Sequence, residues 1–356
     1  MNNYRSEVFQ MNKIIKKAIS LILIPAFSFG ISVSSSAETE RSYPDFGTYV
    51  LLGDSVASGY NDLTETVTEF TRIDYSYGAI VADTIGADYI PMACPGFRTI
   101  EMRYMLEDGF EADDYLFHDA IDGEVMKTRI PEYRKNIAEA GLITLGIGGN
   151  DFGTFLMWVV TDIMEKDGIC TPFVNAARKL LSENGTESDI INSVIDLADT
   201  MDALPQLLVF LPVAVVYGIV NYVKNWDKMI EDIYALNPNA NLMVIGMFDN
   251  SIKSQEDVEK SENALIKFSI GQAIVDLADL PMKLSADKYG YIFVDTTGTV
   301  CDTYHPTYEG HEHIASRILE ALPESAENNL SEKYDRTDNA GILKTLIFYI
   351  KEAVKF

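Results

Sequence analysis

The chain has 356 residues, 47% of them apolar, so it can bury a large core in one domain or two. Its formal net charge of −26 argues against a protein that binds nucleic-acid phosphates, and against adsorption of the body to anionic lipid by charge alone. The 3 cysteines and 4 histidines are too few and too irregularly spaced to indicate a disulfide framework or a metal site.

Residues 1–37 have the pattern of a secretory signal peptide. A lysine-rich stretch precedes the apolar run 18–33, and Ala37 ends a series of small residues that suits cleavage. The alternative is a retained membrane anchor, although the run is short for a span and contains Pro25 and Gly30. The pattern predicts a bacterial protein that is secreted, and extracellular or associated with the cell envelope.

Residues 49–60 begin as a buried strand and end in small residues. The run 49–52 is apolar, as in a central strand of a parallel sheet, and Ser55 follows its end. A serine at the carboxyl end of such a strand lies where α/β sheets bind ligands. The small residues after it favour a tight turn and a helix start, whose N–H groups would stabilise an oxyanion. The alternative is an ordinary turn with a surface serine.

Strands and helices alternate from here to residue 322. Residues 61–74 are expected to form a polar loop, and 106–129 an acidic irregular segment. Further strands are predicted at 89–93, 241–247 and 291–294, and in a run that starts at 142 and ends at the glycines 148–149, with helices at 77–85, 99–106, 131–140, 258–289 and 307–322. This order predicts an α/β fold with about five parallel strands and helices on both faces.

Residues 155–225 are an apolar addition to this pattern. The run 207–220 has no charge, but it is short for a transmembrane span and contains Pro212, so we expect a helical insertion. Either the insertion is simply buried against the domain, or part of it walls or covers an acyl-chain pocket. In the second case Phe155, Leu156 and Trp158 are the candidate substrate-binding residues.

Two segments follow the domain that ends at residue 322. Residues 323–340 are polar and are predicted to be a linker. Residues 341–356 are predicted to form an amphipathic helix, because the apolar residues within 342–356 fall on one helical face and the lysines lie elsewhere. This helix either packs on the body or provides a peripheral contact with lipid or the cell envelope.

Four short motifs occur in order along the predicted strands and loops. They are Gly53-Asp54-Ser55, the loop glycine Gly96, Gly148-Gly149-Asn150-Asp151, and Asp302 with His305-Pro306. Each is weak alone, but together they make the chain resemble the SGNH or GDSL hydrolase family over about residues 46–322. The resemblance implies a flavodoxin-like three-layer α/β sandwich that hydrolyses carboxylic esters without a metal or an organic cofactor.

The resemblance also implies a role for each matching residue. Ser55 is the nucleophile, His305 is its base and Asp302 supports the histidine. The oxyanion hole is formed by Ser55, Gly96 and Asn150. These roles agree with the chemistry of the residues, because a serine hydroxyl needs a base to take its proton and an oxyanion needs preorganised donors.

Other polar residues near the motifs have alternative explanations. His311 and His313 are rival bases, but they fall on the closing helix and are predicted to lie on its exposed side. His118 lies in the acidic irregular segment. Asp151 is expected to cap the helix that follows it and to take no part in the chemistry.

We therefore expect a secreted, monomeric serine esterase or lipase that acts on lipid-like or medium- and long-chain acyl esters. A carbohydrate acetyl esterase, or a non-catalytic binding protein on the same scaffold, are the alternatives. In the family's strand order, the strands before Cys94 and Cys301 lie at opposite edges, beyond disulfide reach. Any disulfide is therefore expected to join Cys170 to Cys301.

Overall fold

Five parallel strands form the central sheet of the computed structural model, in the order β2-β1-β3-β4-β5. The strands are β1 (Thr48–Gly53), β2 (Asp88–Ala93), β3 (Leu142–Gly146), β4 (Asn241–Ile245) and β5 (Ile292–Val294). All four neighbouring pairs are parallel, which is the flavodoxin-like arrangement. The prediction of about five parallel strands in a flavodoxin-like sheet is therefore confirmed.

The structure describes residues 42–60, 70–110, 123–151, 203–250, 252–254, 270–302 and 305–326. The chain divides into two units, and the sheet belongs to the unit Pro44–Asn339. Nearly all of the other unit lies outside the described residues. Within the part of the chain that is described, no helix combines the length and the apolar character needed to cross a membrane.

Helices cover both faces of the sheet. They are α1 (Tyr77–Ile85), α2 (Thr99–Leu106), α3 (Gly123–Glu139), α4 (Ala203–Leu236), α5 (Ile270–Tyr289) and α6 (Tyr308–Ala321). α1 and α6 pack together on one face, and α2, α3, α4 and α5 contact one another on the other face. The predicted three-layer sandwich is confirmed.

Burial on both faces explains why β1 is apolar throughout. Val50 and Leu52 belong to the core cluster that also contains Trp226 of α4. On the opposite face, the Tyr49 and Thr144 hydroxyls form a buried hydrogen bond of 2.7 Å. A strand that is covered on both sides needs apolar residues at consecutive positions, without the alternation of a half-exposed strand.

Three predicted boundaries differ from the structure. Residues 55–59 form turns, so the helix expected directly after Ser55 is not present. α3 begins at Gly123, before the predicted start at 131, and it continues through Pro131. The run 207–220 is helical as predicted, but α4 continues to Leu236 and does not stop at the expected end of the insertion, residue 225.

Several predictions fall outside the described residues. These are the signal peptide 1–37, the substrate-binding candidates Phe155, Leu156 and Trp158, the cysteine Cys170, the histidine His118, and the segments 327–340 and 341–356. Cys94 and Cys301 are both buried, and neither forms a disulfide. Cys301 therefore does not take part in the disulfide that the sequence allowed.

Candidate active site

Three neighbouring strands bring the first three motifs to one edge of the sheet. β1 leads to Ser55, β2 to Gly96 and β3 to Asn150, and β1 lies between the other two. Gly53 and Gly146 are paired at the ends of β1 and β3, and a Cβ on Gly53 would lie 2.2 Å from the Gly146 carbonyl oxygen. Only glycine therefore fits at the position where the chain turns towards Ser55.

Ser55 lies on a turn that the preceding carboxylate holds in place. The Asp54 carboxylate is buried and accepts a hydrogen bond of 2.9 Å from the Val56 N–H. The Asp54 carbonyl accepts another of 2.9 Å from the Ser58 N–H. Burial raises the pKa of Asp54 to about 7, although the hydrogen bond from Val56 opposes this shift. The turn presents Ser55, which is half-buried, at the edge of the sheet.

His305 reaches Ser55 from the loop between β5 and α6. The loop is closed at its base by an antiparallel bridge between Cys301 and Pro306. The Nε2 atom of His305 lies 3.0 Å from the Ser55 Oγ. At this distance Nε2 can accept the serine proton when the other ring nitrogen carries the hydrogen. The Tyr60 ring, with its centroid 4.6 Å from that of the imidazole, packs beside His305.

Asp302 fixes the backbone of the same loop. Its Oδ1 accepts a hydrogen bond of 3.2 Å from the His305 N–H, and the Asp302 N–H donates one of 3.0 Å to the His305 carbonyl. This reciprocal pair holds the two residues at a constant separation. Both contacts are with the His305 backbone, so the support of the imidazole by the Asp302 carboxylate stays a prediction.

The loops after β2 and β3 contact each other beside Ser55. Gly96 has a φ of +85°, a conformation that L side chains rarely adopt, and it lies in a turn closed by the Phe97 N–H and the Cys94 carbonyl. The Asn150 amide donates a hydrogen bond of 3.0 Å to the Phe97 carbonyl. An amide nitrogen carries two hydrogens, so this contact uses only one of them.

Asp151 has a different contact from the one that the sequence predicted. Its two carboxylate oxygens accept hydrogen bonds from Thr99, of 2.6 Å from the hydroxyl and 3.0 Å from the backbone N–H. Thr99 is the first residue of α2, so Asp151 caps α2, whereas the prediction assigned it to the helix that follows it. Burial raises the pKa of Asp151 to about 7.

Only one of the two rival histidines is placed as predicted. His311 is fully buried, and its ring is inclined by 30° to that of Tyr77 with the centroids 6.1 Å apart. The prediction of an exposed His311 is therefore wrong. Burial lowers the pKa of His311 to about 4. His313 is partly exposed, and its Nε2 donates to the Thr297 carbonyl at 3.0 Å.

Two contacts at the site were not found from the sequence. Tyr60 packs against His305, yet no motif includes it. Thr99 binds Asp151, and the only signal for this contact was an aspartate directly after Asn150. In the described part of the chain, no cluster of histidine, cysteine, aspartate and glutamate side chains could hold a metal ion.

A serine and a histidine in contact at the carboxyl edge of a parallel sheet form the arrangement that α/β serine hydrolases use. The sequence model of the family described as GDSL-like Lipase/Acylhydrolase matches residues 49–318. The match covers most of the chain, so the protein belongs to this family and is a carboxylic ester hydrolase.

Solved structures with a similar fold include lipases and carbohydrate esterases. An extracellular lipase from Streptomyces rimosus has 18% identity over 78% of this chain and 100% of that chain, with a TM-score of 0.42. A phospholipase A1 from Streptomyces albidoflavus NA297 gives the same values. An acetylxylan esterase from Geobacillus stearothermophilus has 13% identity over 79% of this chain and 96% of that chain, with a TM-score of 0.41. A comparison with curated proteins gave no match.

Proposed function

We propose that the protein is a secreted serine esterase in which Ser55 forms an acyl-enzyme and His305 transfers the protons. The observation that carries this proposal is the 3.0 Å contact between the His305 Nε2 and the Ser55 Oγ. The two residues come from opposite ends of the fold, and they meet beside the two loops that supply hydrogen-bond donors. A structural serine would not need this combination.

The reaction follows from these positions. His305 takes the Ser55 proton while the Oγ attacks the ester carbonyl, and Asp302 stabilises the resulting imidazolium. The backbone N–H groups of Ser55 and Gly96 and the Asn150 amide stabilise the oxyanion. The imidazolium then protonates the leaving alcohol. A water molecule, activated by the same histidine, releases the acid and restores Ser55.

We propose medium- or long-chain acyl esters as the substrates. The support is compositional: residues 155, 156 and 158 are apolar and follow Asn150 closely along the chain, and the run 207–220 has no charge. Acetylated carbohydrate is the alternative substrate, and it would use the same catalytic residues with a smaller acyl site. A comparison of acyl-chain lengths separates the two.

Residues 1–37 are proposed to direct export of the protein. The enzyme is proposed to be a monomer that makes a peripheral contact with lipid or the cell envelope through residues 342–356. Full-length protein and a variant without residues 1–37 are expressed in a bacterial host, and the medium is assayed for esterase activity. We expect activity in the medium only for the full-length chain, with an N-terminus close to residue 38. Equal export of the shortened chain would contradict the signal peptide.

The catalytic proposal is tested with p-nitrophenyl esters from acetyl to palmitoyl. Purified wild type should hydrolyse at least part of the series, and Ser55→Ala should abolish hydrolysis while the thermal unfolding midpoint stays within about 2 °C of wild type. A folded Ser55→Ala variant that keeps more than a few per cent of the activity would show that Ser55 is not the nucleophile.

A further inference from the structure

The loops that carry Gly96 and Asn150 are joined by a second set of hydrogen bonds behind the site. Thr99 and Asp151 are both fully buried, and each lies just beyond one of these loops. The Thr99 hydroxyl donates to Asp151 Oδ1 at 2.6 Å, and the Thr99 N–H donates to Oδ2 at 3.0 Å. With both oxygens bound to one residue, the carboxylate cannot rotate without losing a hydrogen bond.

The same two loops are also joined by the Asn150 amide. Asn150 donates to the Phe97 carbonyl at 3.0 Å, so consecutive residues of one loop bind two alternate residues of the other. Between these two contacts lies Arg98, whose side chain is fully buried and ion-paired with Glu101 at the start of α2. The Arg98 N–H also donates to the Glu101 carboxylate at 2.8 Å.

We propose that Asp151 and Thr99 are positioning residues that set the distance between the Gly96 N–H and the Asn150 amide. This inference rests on the proposed function. Neither residue touches the substrate in this scheme. Oxyanion donors stabilise the transition state only when they are fixed before the reaction, and a misplacement of about 1 Å can cost roughly 100-fold in rate.

Conservative substitutions separate positioning from charge. In Asp151→Asn, the amide oxygen can accept from the Thr99 N–H while the amide nitrogen donates to the Thr99 hydroxyl, so both hydrogen bonds remain. Asp151→Ala removes both hydrogen bonds. Thr99→Ser keeps the hydroxyl, whereas Thr99→Val keeps the shape and removes only the contact of 2.6 Å.

The experiment measures kcat and KM with p-nitrophenyl acetate, together with the inhibition constant of an alkylboronic acid. A boronic acid bound to the serine is tetrahedral and places an oxygen where the oxyanion forms, so it reports on the transition state. We expect Asp151→Ala to lower kcat by roughly 10- to 100-fold, with a comparable loss of boronic acid affinity and a nearly unchanged KM. Thr99→Val should show a smaller loss, and Asp151→Asn and Thr99→Ser should recover most of it.

A remote variant controls for loss of stability. Asn237 is buried just before the amino end of β4, at the edge of the sheet opposite the candidate site, and its amide donates to the carbonyls of Ile137 and Ala140. Asn237→Ala should lower the unfolding midpoint without changing kcat per folded enzyme. If Asp151→Ala does the same and leaves boronic acid affinity unchanged, Asp151 is only a structural residue and the proposal is wrong.

A double mutant tests whether Asp151 acts through the oxyanion hole. In an Asn150→Ala background the Asp151→Ala substitution should cost much less than it does in wild type, because one of the positioned donors is already missing. An equal cost in both backgrounds would overturn the inference. The Ser55→Ala control separates the two failures: if that variant keeps its activity, the proposed function and this inference fall together. If it is inactive while Asp151→Ala is fully active, only this inference fails.

Discussion

Ser55 and His305 are 250 positions apart in the chain, yet their side chains are in contact. His305 and Asp302 lie on the same loop, but they are proposed to have different roles. In the proposed mechanism His305 transfers the proton, whereas Asp302 holds the loop through the hydrogen bond from the His305 N–H and supports the imidazolium. Replacement of the two residues should therefore have unequal effects.

We expect Asp302→Ala to be milder than His305→Ala. In triads of this type, replacement of the aspartate lowers kcat by roughly 50- to 100-fold less than replacement of the histidine does, because the histidine transfers the proton itself. Steady-state kinetics of both variants on the best p-nitrophenyl ester, with matched unfolding midpoints, provide the measurement. Equal losses, or a larger loss for Asp302→Ala, would contradict this division of roles.

We expect His311 to make the stability of the protein depend on pH, which the sequence does not indicate. The side chain is fully buried between aromatic rings, and neither ring nitrogen has a hydrogen-bond partner among the described residues. Burial lowers its pKa to about 4, and the neighbouring His305 adds to the shift while Asp302 opposes it. Between its ordinary pKa and this value, the unfolded chain binds a proton that the folded chain does not bind.

The stability contributed by neutral His311 should therefore be lost as the pH falls. By linkage, the free energy of unfolding should fall by about 2 kcal/mol between about pH 7 and pH 4.5 because of this residue. Urea unfolding of His311→Leu at both values should show a decrease that is smaller than wild type by this amount. Asp54 and Asp151, whose raised pKa values act in the opposite direction, are present in both proteins and cancel in the comparison. An identical pH dependence in the two proteins would exclude His311 as the source.

Among the loops and helices, some turns depend on backbone conformations that only certain residues tolerate, and the loop that carries Gly96 is one of them. Gly96 and Gly86 both have positive φ, +85° and +70°, and a Cβ on either would meet no atom within 4 Å. An alanine at either position has room for its side chain, but it should cost about 1 to 2 kcal/mol through the backbone alone. The two glycines differ in place, because Gly86 ends α1 and Gly96 lies at the candidate oxyanion hole.

Gly96→Ala and Gly86→Ala therefore form a matched pair. Both should lower the free energy of unfolding by a similar amount. Only Gly96→Ala should also lower kcat, by about 10-fold or more with little change in KM, because a shift in its N–H moves an oxyanion donor. If both variants keep wild-type kcat per folded enzyme, the Gly96 N–H is not part of the oxyanion hole.

The elements that the sequence predicts best are those with strong local signals. α1 was predicted with both ends correct: Ser76 caps its start and Gly86 its end, and these are the residues that helix termini favour. The sequence predicts α3 too short, because a proline such as Pro131 is typical of the first turn of a helix. The helix passes through this proline while Met126, Tyr133 and Ile137 are buried along its length, and this burial outweighs the lost hydrogen bond.

The contacts that the sequence did not predict are long-range and involve buried polar groups. Asp151 was assigned to a local helix cap, but its partner, Thr99, is 52 positions away. His311 is predicted on the exposed side of the closing helix, whereas the packing of α6 on α1 buries it. The motif residues themselves were predictable, since each follows a strand and parallel strands end at one edge of the sheet.

For the whole molecule, the family and the fold establish ester hydrolysis, but they do not establish the acyl group. Residues 155–225, which this chain adds to the core, are the segment that can decide which acyl group is preferred. Its second part lies in α4, which is fixed against α2 by a hydrogen bond of 2.9 Å from Arg103 to Asn225. The end of the apolar insertion is thus part of α4, the helix that packs against α2, which follows the Gly96 loop.

We expect the enzyme to prefer octanoyl over acetyl esters, because a continuous apolar wall would bury the longer chain. Each buried methylene contributes about 0.8 kcal/mol, so burial of about four of the additional methylenes of octanoyl gives about 3 kcal/mol, or roughly 100-fold in kcat/KM. The measurement compares kcat/KM for the two esters in wild type, Phe155→Asn and Trp158→Gln. Leu280→Gln is the control, since Leu280 is 41% exposed on α5 and lies outside the insertion. A selective loss on octanoyl in the first two variants would support the acyl wall. A wild type that is fastest on acetyl, or equal losses on both esters, would contradict it and favour the acetyl esterase.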